Sequence, residues 1–316
     1  MLAIARRVGP WLIGAAILVA IVLRFPLAAF REAVGHGAHV PLAVANIVIT
    51  ALVLANDSLA TWIALLAVRM RRPLGTVLVV RGATYLLLLV NYAVGQGGFG
   101  YYLYRSGAPA LRATGATLFL MGTNLATLLL VTTAAWAIRG IDATSAALWW
   151  TLVIGCAALA VYLVVIAIAP AFLADRAMLA PLFAAGLRGH AAAIAGRLPH
   201  VAVIVLGYWI AMRVWGIDVP FAVGVTLMPA VVIAAALPIA PGGLGTTQAA
   251  AVYFFSDYAA GATADDRGAS MLAFAIVHFV YGVLAAMAIG LICAPLARRD
   301  TRRAEPVAEL QPERAS

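Results

Sequence analysis

The sequence predicts an all-α integral membrane protein with several spanning helices. Of its 316 residues, 65% are hydrophobic and only 10% are charged, and the mean hydropathy is +1.03. These values lie outside the range of soluble globular proteins. Apolar runs of about 17 to 25 residues, the length that crosses a bilayer, recur without a long polar insertion. We therefore expect one transmembrane domain over residues 1–297 and a disordered cytoplasmic tail over residues 298–316.

Eight apolar segments are candidates for membrane helices. They cover residues 11–29, 42–68, 77–94, 115–138, 146–169, 201–215, 221–239 and 270–296. Two of them run into glycine clusters, at 95–100 and 241–245, that interrupt an otherwise hydrophobic helix. Broken backbone at membrane depth is tolerated only where protein or a cavity surrounds it, although each cluster alone also fits a tight surface turn. We interpret residues 77–112 and 221–258 as two re-entrant hairpins.

The arginines distinguish two topologies, because all 21 basic residues are arginine. If every segment spans once, five of them lie outside the cell, against the positive-inside rule: Arg105, Arg112, Arg176, Arg188 and Arg197. If residues 77–112 instead form a hairpin that enters from the cytoplasm, these five return to the cytoplasmic side. The sequence therefore predicts six spanning helices in the cell membrane and two oppositely oriented hairpins, with both termini cytoplasmic. This arrangement suggests an inverted repeat.

Residues 187–198 lie between two predicted spans and repeat apolar residues at helical spacing. Arg188, His190 and Arg197 flank this apolar stripe. The pattern predicts a short interfacial helix with basic edges. Since the arginines are gathered at the ends of apolar segments, they are interpreted as topology signals and headgroup contacts, and no nucleic-acid partner is expected.

Two ionisable residues lie inside predicted membrane helices. Asp57 is in the second segment and Arg81 is in the third. An ionisable group at this depth is costly and usually faces a partner or a cavity. Asp57 is therefore either a site for ion or proton coupling or one half of a structural ion pair with Arg81, and both interpretations stay open.

Enzyme and metal signatures are missing from the sequence. It contains no HExxH, GxSxG or GxxxxGK motif, and no cluster of His, Cys and carboxylates at metal-ligand spacing. His278 stands alone in the last segment, where a structural role is expected. We therefore expect a protein that is not an enzyme, holds no metal and uses no cofactor.

Arg105 follows an aromatic run that begins at Tyr101. A guanidinium beside aromatic rings is suited to bind a lipid phosphate through two hydrogen bonds. The alternative is an interfacial arginine within an aromatic belt.

Two stretches carry a family resemblance. Residues 91–105 contain Asn91, a glycine-rich run and then Arg105, and residues 237–245 read Leu-Pro-Ile-Ala-Pro-Gly-Gly-Leu-Gly. Together they resemble the transmembrane region of lysylphosphatidylglycerol synthases and related flippase-like membrane proteins. That family typically has a Gly-Glu pair in the first stretch and a Glu after the second. Here Gly97 and Gly98 occupy the first position without an acid, and Gln248 stands in place of the second Glu.

The resemblance implies a membrane domain that binds or translocates lipid and lacks its own transferase. Its expected ligand is a membrane lipid, in particular an anionic phospholipid. The expected substrate-binding residues are Asn91, Gly97, Gly98, Tyr101, Arg105, Pro241, Gly242, Gly243, Gly245 and Gln248. Two alternatives stay open: a secondary transporter of a small polar solute or ion coupled through Asp57, and a non-transporting subunit that docks a separately encoded transferase.

Overall fold

The computed structural model describes residues 2–90, 92–139, 146–236 and 243–303, and this part of the chain is almost entirely helical. The helices in it are α1 (Leu2–Arg24), α2 (Leu27–Gly35), α3 (His39–Ala67), α4 (Leu74–Leu88), α5 (Tyr92–Arg105), α6 (Ala110–Arg139), α7 (Ala146–Ile168), α8 (Ala171–Ala174), α9 (Ala180–Trp215), α10 (Phe221–Ala236), α11 (Thr246–Phe255) and α12 (Ala264–Arg303). Among the described residues, α3, α6, α7, α9 and α12 are long and apolar enough to cross a membrane. The predicted all-α polytopic membrane class is confirmed.

The first predicted span is not one straight helix. Residues Trp11–Arg24 of α1 and the residues of α2 are long and apolar enough to cross a membrane only when the two are taken together, and the chain bends by 100° between them. Pro26 precedes α2 with an extended backbone (φ −59°, ψ 117°), and a proline also disfavours helical backbone in the residue before it. The predicted segment 11–29 therefore ends early, at Arg24.

Large apolar side chains cover the outside of the spanning helices. On α7, exposure reaches 60% at Trp150, 65% at Ile154 and Val161, and 70% at Ile168. A soluble protein rarely exposes so continuous an apolar face. This face is suited to contact lipid tails.

α4 and α5 form a helical hairpin that is too short to span. With 15 residues, α4 is about 22 Å long, against about 30 Å of hydrocarbon. The two helices pack against each other, and Arg72, just before α4, donates a 2.7 Å hydrogen bond to the carbonyl of Ser106, just after α5. Both ends of the hairpin therefore lie on the same side of the helix bundle, as a re-entrant segment requires.

The prediction that the glycine run of residues 95–100 breaks the helix is wrong, because the run lies inside α5. The turn between α4 and α5 comes earlier, at Leu89 and Val90. The glycines permit close helix packing: a Cβ at Gly95 would lie 2.3 Å from Leu88 Cδ2, and one at Gly100 would lie 2.4 Å from Thr117 Oγ1. Small residues at such contacts are typical of membrane helices.

The second hairpin consists of α10 and α11, which also pack against each other. Residues 237–242 between them, with Pro241 and Gly242, lie outside the described residues. Gly243 (φ 74°) and Gly245 (φ 84°) follow in left-handed backbone that glycine adopts without steric cost. The predicted break is therefore confirmed at Gly243 and Gly245.

The helices α3–α6 and α9–α12 follow the same pattern of a long helix, a hairpin and a long helix. α3 and α9 run antiparallel, since Ala67 neighbours Gly189 and Ile49 neighbours Gly207. In the two halves, α4 corresponds to α10 and α6 corresponds to α12. The packing between the halves follows this correspondence, because α4 packs against α12 and α10 packs against α6. This relationship supports the inverted repeat suggested by the sequence.

One end of the bundle is rich in arginine. Ala67 lies beside Gly189, and Met70 and Ala297 belong to one apolar cluster, so the ends of α3 and α12 and the start of α9 lie together. With the open end of the α4–α5 hairpin, they form the arginine-rich end, which carries Arg69, Arg71, Arg72, Arg105, Arg112, Arg188, Arg298 and Arg299. Arg213 and Arg267 lie at the opposite end, where each pairs with an aspartate.

Two predictions at this end need correction. The interfacial helix expected over residues 187–198 and the span expected from residue 201 are one helix, α9, which bends at Gly186 and continues through Pro199. Arg197 therefore lies within a spanning helix and not in a cytoplasmic loop. α12 also continues to Arg303, so residues 298–303 of the predicted tail are helical, while residues 304–316 lie outside the described residues.

Candidate functional site

Asp57 lies between two arginines in the interior of the bundle. Its Oδ2 accepts a 2.6 Å hydrogen bond from Nε of Arg81 and lies 2.5 Å from Nη2 of the same guanidinium. Its Oδ1 accepts a 2.5 Å hydrogen bond from Nη1 of Arg197. Asp57 and Arg197 are each only 3% exposed, and Arg81 is 4% exposed. The ion pair of Asp57 with Arg81, one of the two interpretations that the sequence leaves open, is present, and Arg197 is an additional partner.

Helix packing brings these side chains together from three elements, α3, α4 and α9. Gly196 lies against Ile63, and a Cβ at this glycine would be 2.7 Å from Ile63 Cδ1. The close approach of α9 to α3 at Gly196 places the neighbouring Arg197 beside Asp57. Small residues at a helix contact let backbones approach in this way.

The cluster has an excess of positive charge. One carboxylate faces two guanidinium groups, which leaves a formal charge of +1. Arg81 also donates from NH1 to Oε1 of Gln96 at 3.1 Å and lies 5.5 Å from the centre of the Phe99 ring. Nε of Arg197 has no hydrogen-bond partner among the described residues. Arg197 is therefore the less satisfied of the two cations.

A cavity of about 690 Å³ adjoins this cluster. Its wall is mostly apolar, with leucine, isoleucine and valine side chains from several helices. Both hairpins contribute to it: Leu88, Tyr92 and Gln96 come from the first, and Leu244 and Thr247 come from the second. The tips of the two hairpins therefore line one cavity, whose charged residues within the described chain are Asp57, Arg81 and Arg197.

A second polar group lines the same cavity without charge. Tyr208 on α9, Thr247 on α11 and His278 on α12 belong to it. The Tyr208 hydroxyl, the Thr247 hydroxyl and Nδ1 of His278 are buried and lack a partner within the described chain. The rings of Tyr208 and His278 meet edge to face, with 4.6 Å between their centroids.

The predicted phosphate-binding residue Arg105 does not line the cavity. It is exposed at the end of α5, and Tyr101 is exposed one turn earlier. Gly97 is also exposed, and Gly98 packs against Leu87 of α4. The structure thus places Gly97, Tyr101 and Arg105 on the outer side of α5 and Gly98 at its contact with α4.

The predicted residues of the second hairpin surround the start of α11. Oε1 of Gln248 accepts a 2.7 Å hydrogen bond from the backbone N–H of Gly245, while its buried Nε2 has no partner among the described residues. Gly243 and Gly245 form the turn that precedes the helix. Asn91, Pro241 and Gly242 lie outside the described residues.

Sequence reasoning missed Arg197, His200 and Tyr208, which line the cavity from one side of α9. Their spacing of three and then eight residues is a helical signal that could have grouped them. The apolar stripe before Pro199 predicts a separate surface helix, which puts Arg197 in a loop. The structure instead buries Arg197 against the second carboxylate oxygen of Asp57 on the facing helix.

Within the described residues, no group of three His, Cys, Asp or Glu side chains is placed to hold a metal ion. The described residues that line the cavity offer two guanidinium groups and one carboxylate, neutral donors and acceptors, and an apolar wall. Comparison of the chain with protein-family models, curated proteins and solved structures finds no match.

Proposed function

We propose that this membrane protein binds an anionic lipid in the cavity and translocates it across the bilayer. The observation that carries the proposal is Arg197, a buried guanidinium without full compensation of its charge, at the wall of an apolar cavity. The hairpin tips that line the cavity are the elements that would form a polar path.

An anion is the ligand that the charge of the cluster requires. A buried charge is costly unless it is paired, and the Asp57 carboxylate compensates only one of the two guanidinium groups. A phosphate oxygen is a suitable partner for Arg197, because guanidinium donors match phosphate geometry. Binding of such an anion would neutralise the cluster.

An amphiphile fits the cavity better than a small polar solute. A cavity of about 690 Å³ lies within the usual range of ligand sites, about 300–1,000 Å³. The large apolar part of its wall is suited to contact hydrocarbon next to a phosphate, and a hydrated ion would leave that part unused. A lipid supplies both parts.

The family resemblance supports the same proposal. We propose that the chain is a relative of the transmembrane region of lysylphosphatidylglycerol synthases that has no catalytic role of its own. The acids expected near Gly98 and at Gln248 are missing, and both oxygens of Asp57 are occupied. The substrate we propose is therefore an anionic lipid without a cationic headgroup.

We place the arginine-rich end at the cytoplasmic face of the cell membrane, in accordance with the positive-inside rule. α12 ends there, and α1 leads away from that side to Arg24. Both termini are then cytoplasmic. Solute transport coupled through Asp57 receives less support, since its carboxylate has no free oxygen for an ion or proton.

The test is lipid translocation in proteoliposomes. Fluorescent phosphatidylglycerol and fluorescent phosphatidylcholine are compared for the wild type, Arg197→Gln and Arg105→Gln, with empty vesicles as a control. We expect the wild type to move phosphatidylglycerol faster than phosphatidylcholine, Arg197→Gln to lose this difference, and the exposed Arg105→Gln to keep it. Equal movement of phosphatidylglycerol by all three proteins, or movement no faster than in empty vesicles, would contradict the proposal.

A further inference from the structure

The uncharged polar group of the cavity has unmet hydrogen-bonding capacity. The hydroxyls of Tyr208 and Thr247 and Nδ1 of His278 are buried without a partner among the described residues. Buried polar groups in proteins are nearly always hydrogen-bonded, and an unmet one is destabilising. The three groups line the cavity together with Nδ1 of His200, which also lacks a partner within the described chain, so an occupant of the cavity can supply the missing hydrogen bonds.

Packing fixes the orientation of this group. The ring of Phe274 stacks on His278 with a centroid distance of 5.4 Å and an interplanar angle of 15°, and it meets Tyr208 edge to face at 5.5 Å. The phenol and the imidazole are therefore held in place and are not free to turn towards other partners. Such a fixed arrangement is suited to bind a ligand at low entropic cost.

The chemistry of the group favours hydroxyl ligands over an ammonium ion. A phenol and an alcohol both donate and accept a hydrogen bond, and a neutral imidazole does each with one nitrogen. A carboxylate is the strongest partner for an ammonium headgroup, but Asp57, whose two oxygens are engaged, is the acid found among the described lining residues. This polar group therefore favours a hydroxyl-bearing headgroup over a cationic one.

The two polar groups of the cavity are separated along α9. Arg197, His200, Ile204 and Tyr208 line the cavity at intervals of three or four residues, so they lie on one face of the helix. The uncharged polar group therefore lies further along the same cavity wall than the guanidinium of Arg197. A headgroup that contacts both must extend beyond its phosphate.

We infer that Tyr208, Thr247 and His278 bind the hydroxyl groups of an uncharged, sugar-like headgroup on the lipid whose phosphate contacts Arg197. The inference rests on the proposed function and specifies its substrate class. A cyclic polyol and a glycosyl unit share this chemistry, and each is longer than a simple alcohol. The hydroxyls occupy the three unmet positions, and no carboxylate is needed.

The test compares lipids of equal charge. Dissociation constants of phosphatidylinositol and phosphatidylethanol, which differ in headgroup hydroxyls, are measured by native mass spectrometry on the purified protein in detergent. We expect the wild type to bind phosphatidylinositol about tenfold more tightly, and Tyr208→Phe to reduce that ratio at least about threefold. Thr247→Val is a second variant that removes one hydroxyl and keeps the side-chain shape. Tyr281→Phe is the matched control, because its hydroxyl bonds His39 and does not line the cavity.

The outcomes separate this inference from the proposed function. If the wild type binds both lipids with equal affinity and Arg197→Gln binds neither, the inference is overturned and the proposed function stands. The inference is also overturned if neither Tyr208→Phe nor Thr247→Val changes the ratio of the two affinities. Tighter binding of phosphatidylethanolamine than of phosphatidylinositol overturns it as well. Affinities that Arg197→Gln does not alter contradict the proposed function itself. Size-exclusion profiles of each variant verify folding before the comparison.

Discussion

Asp57 on α3 and Arg197 on α9 are 140 positions apart in the chain and form a 2.5 Å ion pair in the interior of the bundle. Their contact joins the first helices of the two halves that the inverted repeat relates. Arg81 from the first hairpin completes the cluster on the other carboxylate oxygen. The ion pair between Asp57 and Arg197 therefore connects the fold to the proposed anion site, because the same charges hold α3 to α9 and leave one cation in excess.

The first prediction concerns the unequal cost of removing each charge. Arg197→Gln leaves a neutral pair of Asp57 and Arg81, whereas Asp57→Asn leaves two buried guanidinium groups without a counter-ion. We expect Asp57→Asn to be destabilising by about 3–5 kcal/mol and Arg197→Gln by clearly less. Thermal unfolding of the purified variants in detergent measures the order, with the exposed Arg105→Gln as control.

The double variant Asp57→Asn/Arg197→Gln sharpens this prediction. It removes the carboxylate and one of the two cations, so we expect it to be more stable than Asp57→Asn alone. An Asp57→Asn protein that unfolds at the same temperature as Arg105→Gln would show that the charge cluster does not stabilise the fold.

The second prediction concerns the re-entrant geometry of α4 and α5. Arg71 and Arg105 lie at the two ends of this hairpin, and Arg213 lies at the opposite end of the bundle. Each is replaced by cysteine in a separate variant. In a background without Cys156 and Cys293, an impermeant thiol reagent should label the first two from the cytoplasmic side and the third from the outer side. Labelling of Arg71→Cys and Arg105→Cys from opposite sides would mean that the hairpin spans.

The third prediction tests whether the glycine run of α5 is helical. A Cβ at Gly97 meets open space, whereas a Cβ at Gly100 would lie 2.4 Å from Thr117 Oγ1. Gly97→Ala should therefore be stabilising by about 0.5–1 kcal/mol, the usual gain over glycine inside a helix. Gly100→Ala should be destabilising, because either the Thr117 hydroxyl must give up its hydrogen bond to the carbonyl of Ala113 or α5 and α6 must move apart. Thermal unfolding in detergent compares the two, and a gain for Gly100→Ala would contradict the packing described.

The parts of the fold that the sequence predicts are those with a local signal. Long apolar runs predict the spanning helices, and the distribution of arginines predicts that the α4–α5 hairpin returns to its starting side. The glycine run of α5 was misinterpreted because glycine both breaks helices and permits their close packing. Only the neighbours Leu88 and Thr117, which belong to other helices, show which role applies.

The candidate site was predictable only in part, for a related reason. Asp57 and Arg81 each lie inside an apolar segment, so their burial and their pairing follow from the cost of an isolated charge. Arg197 lies beside Pro199 in a less apolar stretch, where an interfacial position was the simpler interpretation. Its burial depends on the antiparallel contact of α3 with α9, and a contact between distant parts of the chain leaves no local signal.

The central claim is that the excess positive charge of Arg197 binds an anionic lipid, and equilibrium binding tests it most directly. The dissociation constant of short-chain phosphatidylglycerol is measured for the purified wild type, Arg197→Gln and the control Arg105→Gln. Loss of a hydrogen-bonded charge contact of about 1.5–3 kcal/mol predicts about 10- to 150-fold weaker binding for Arg197→Gln and no change for Arg105→Gln. Equal affinity of the wild type and Arg197→Gln would contradict the claim.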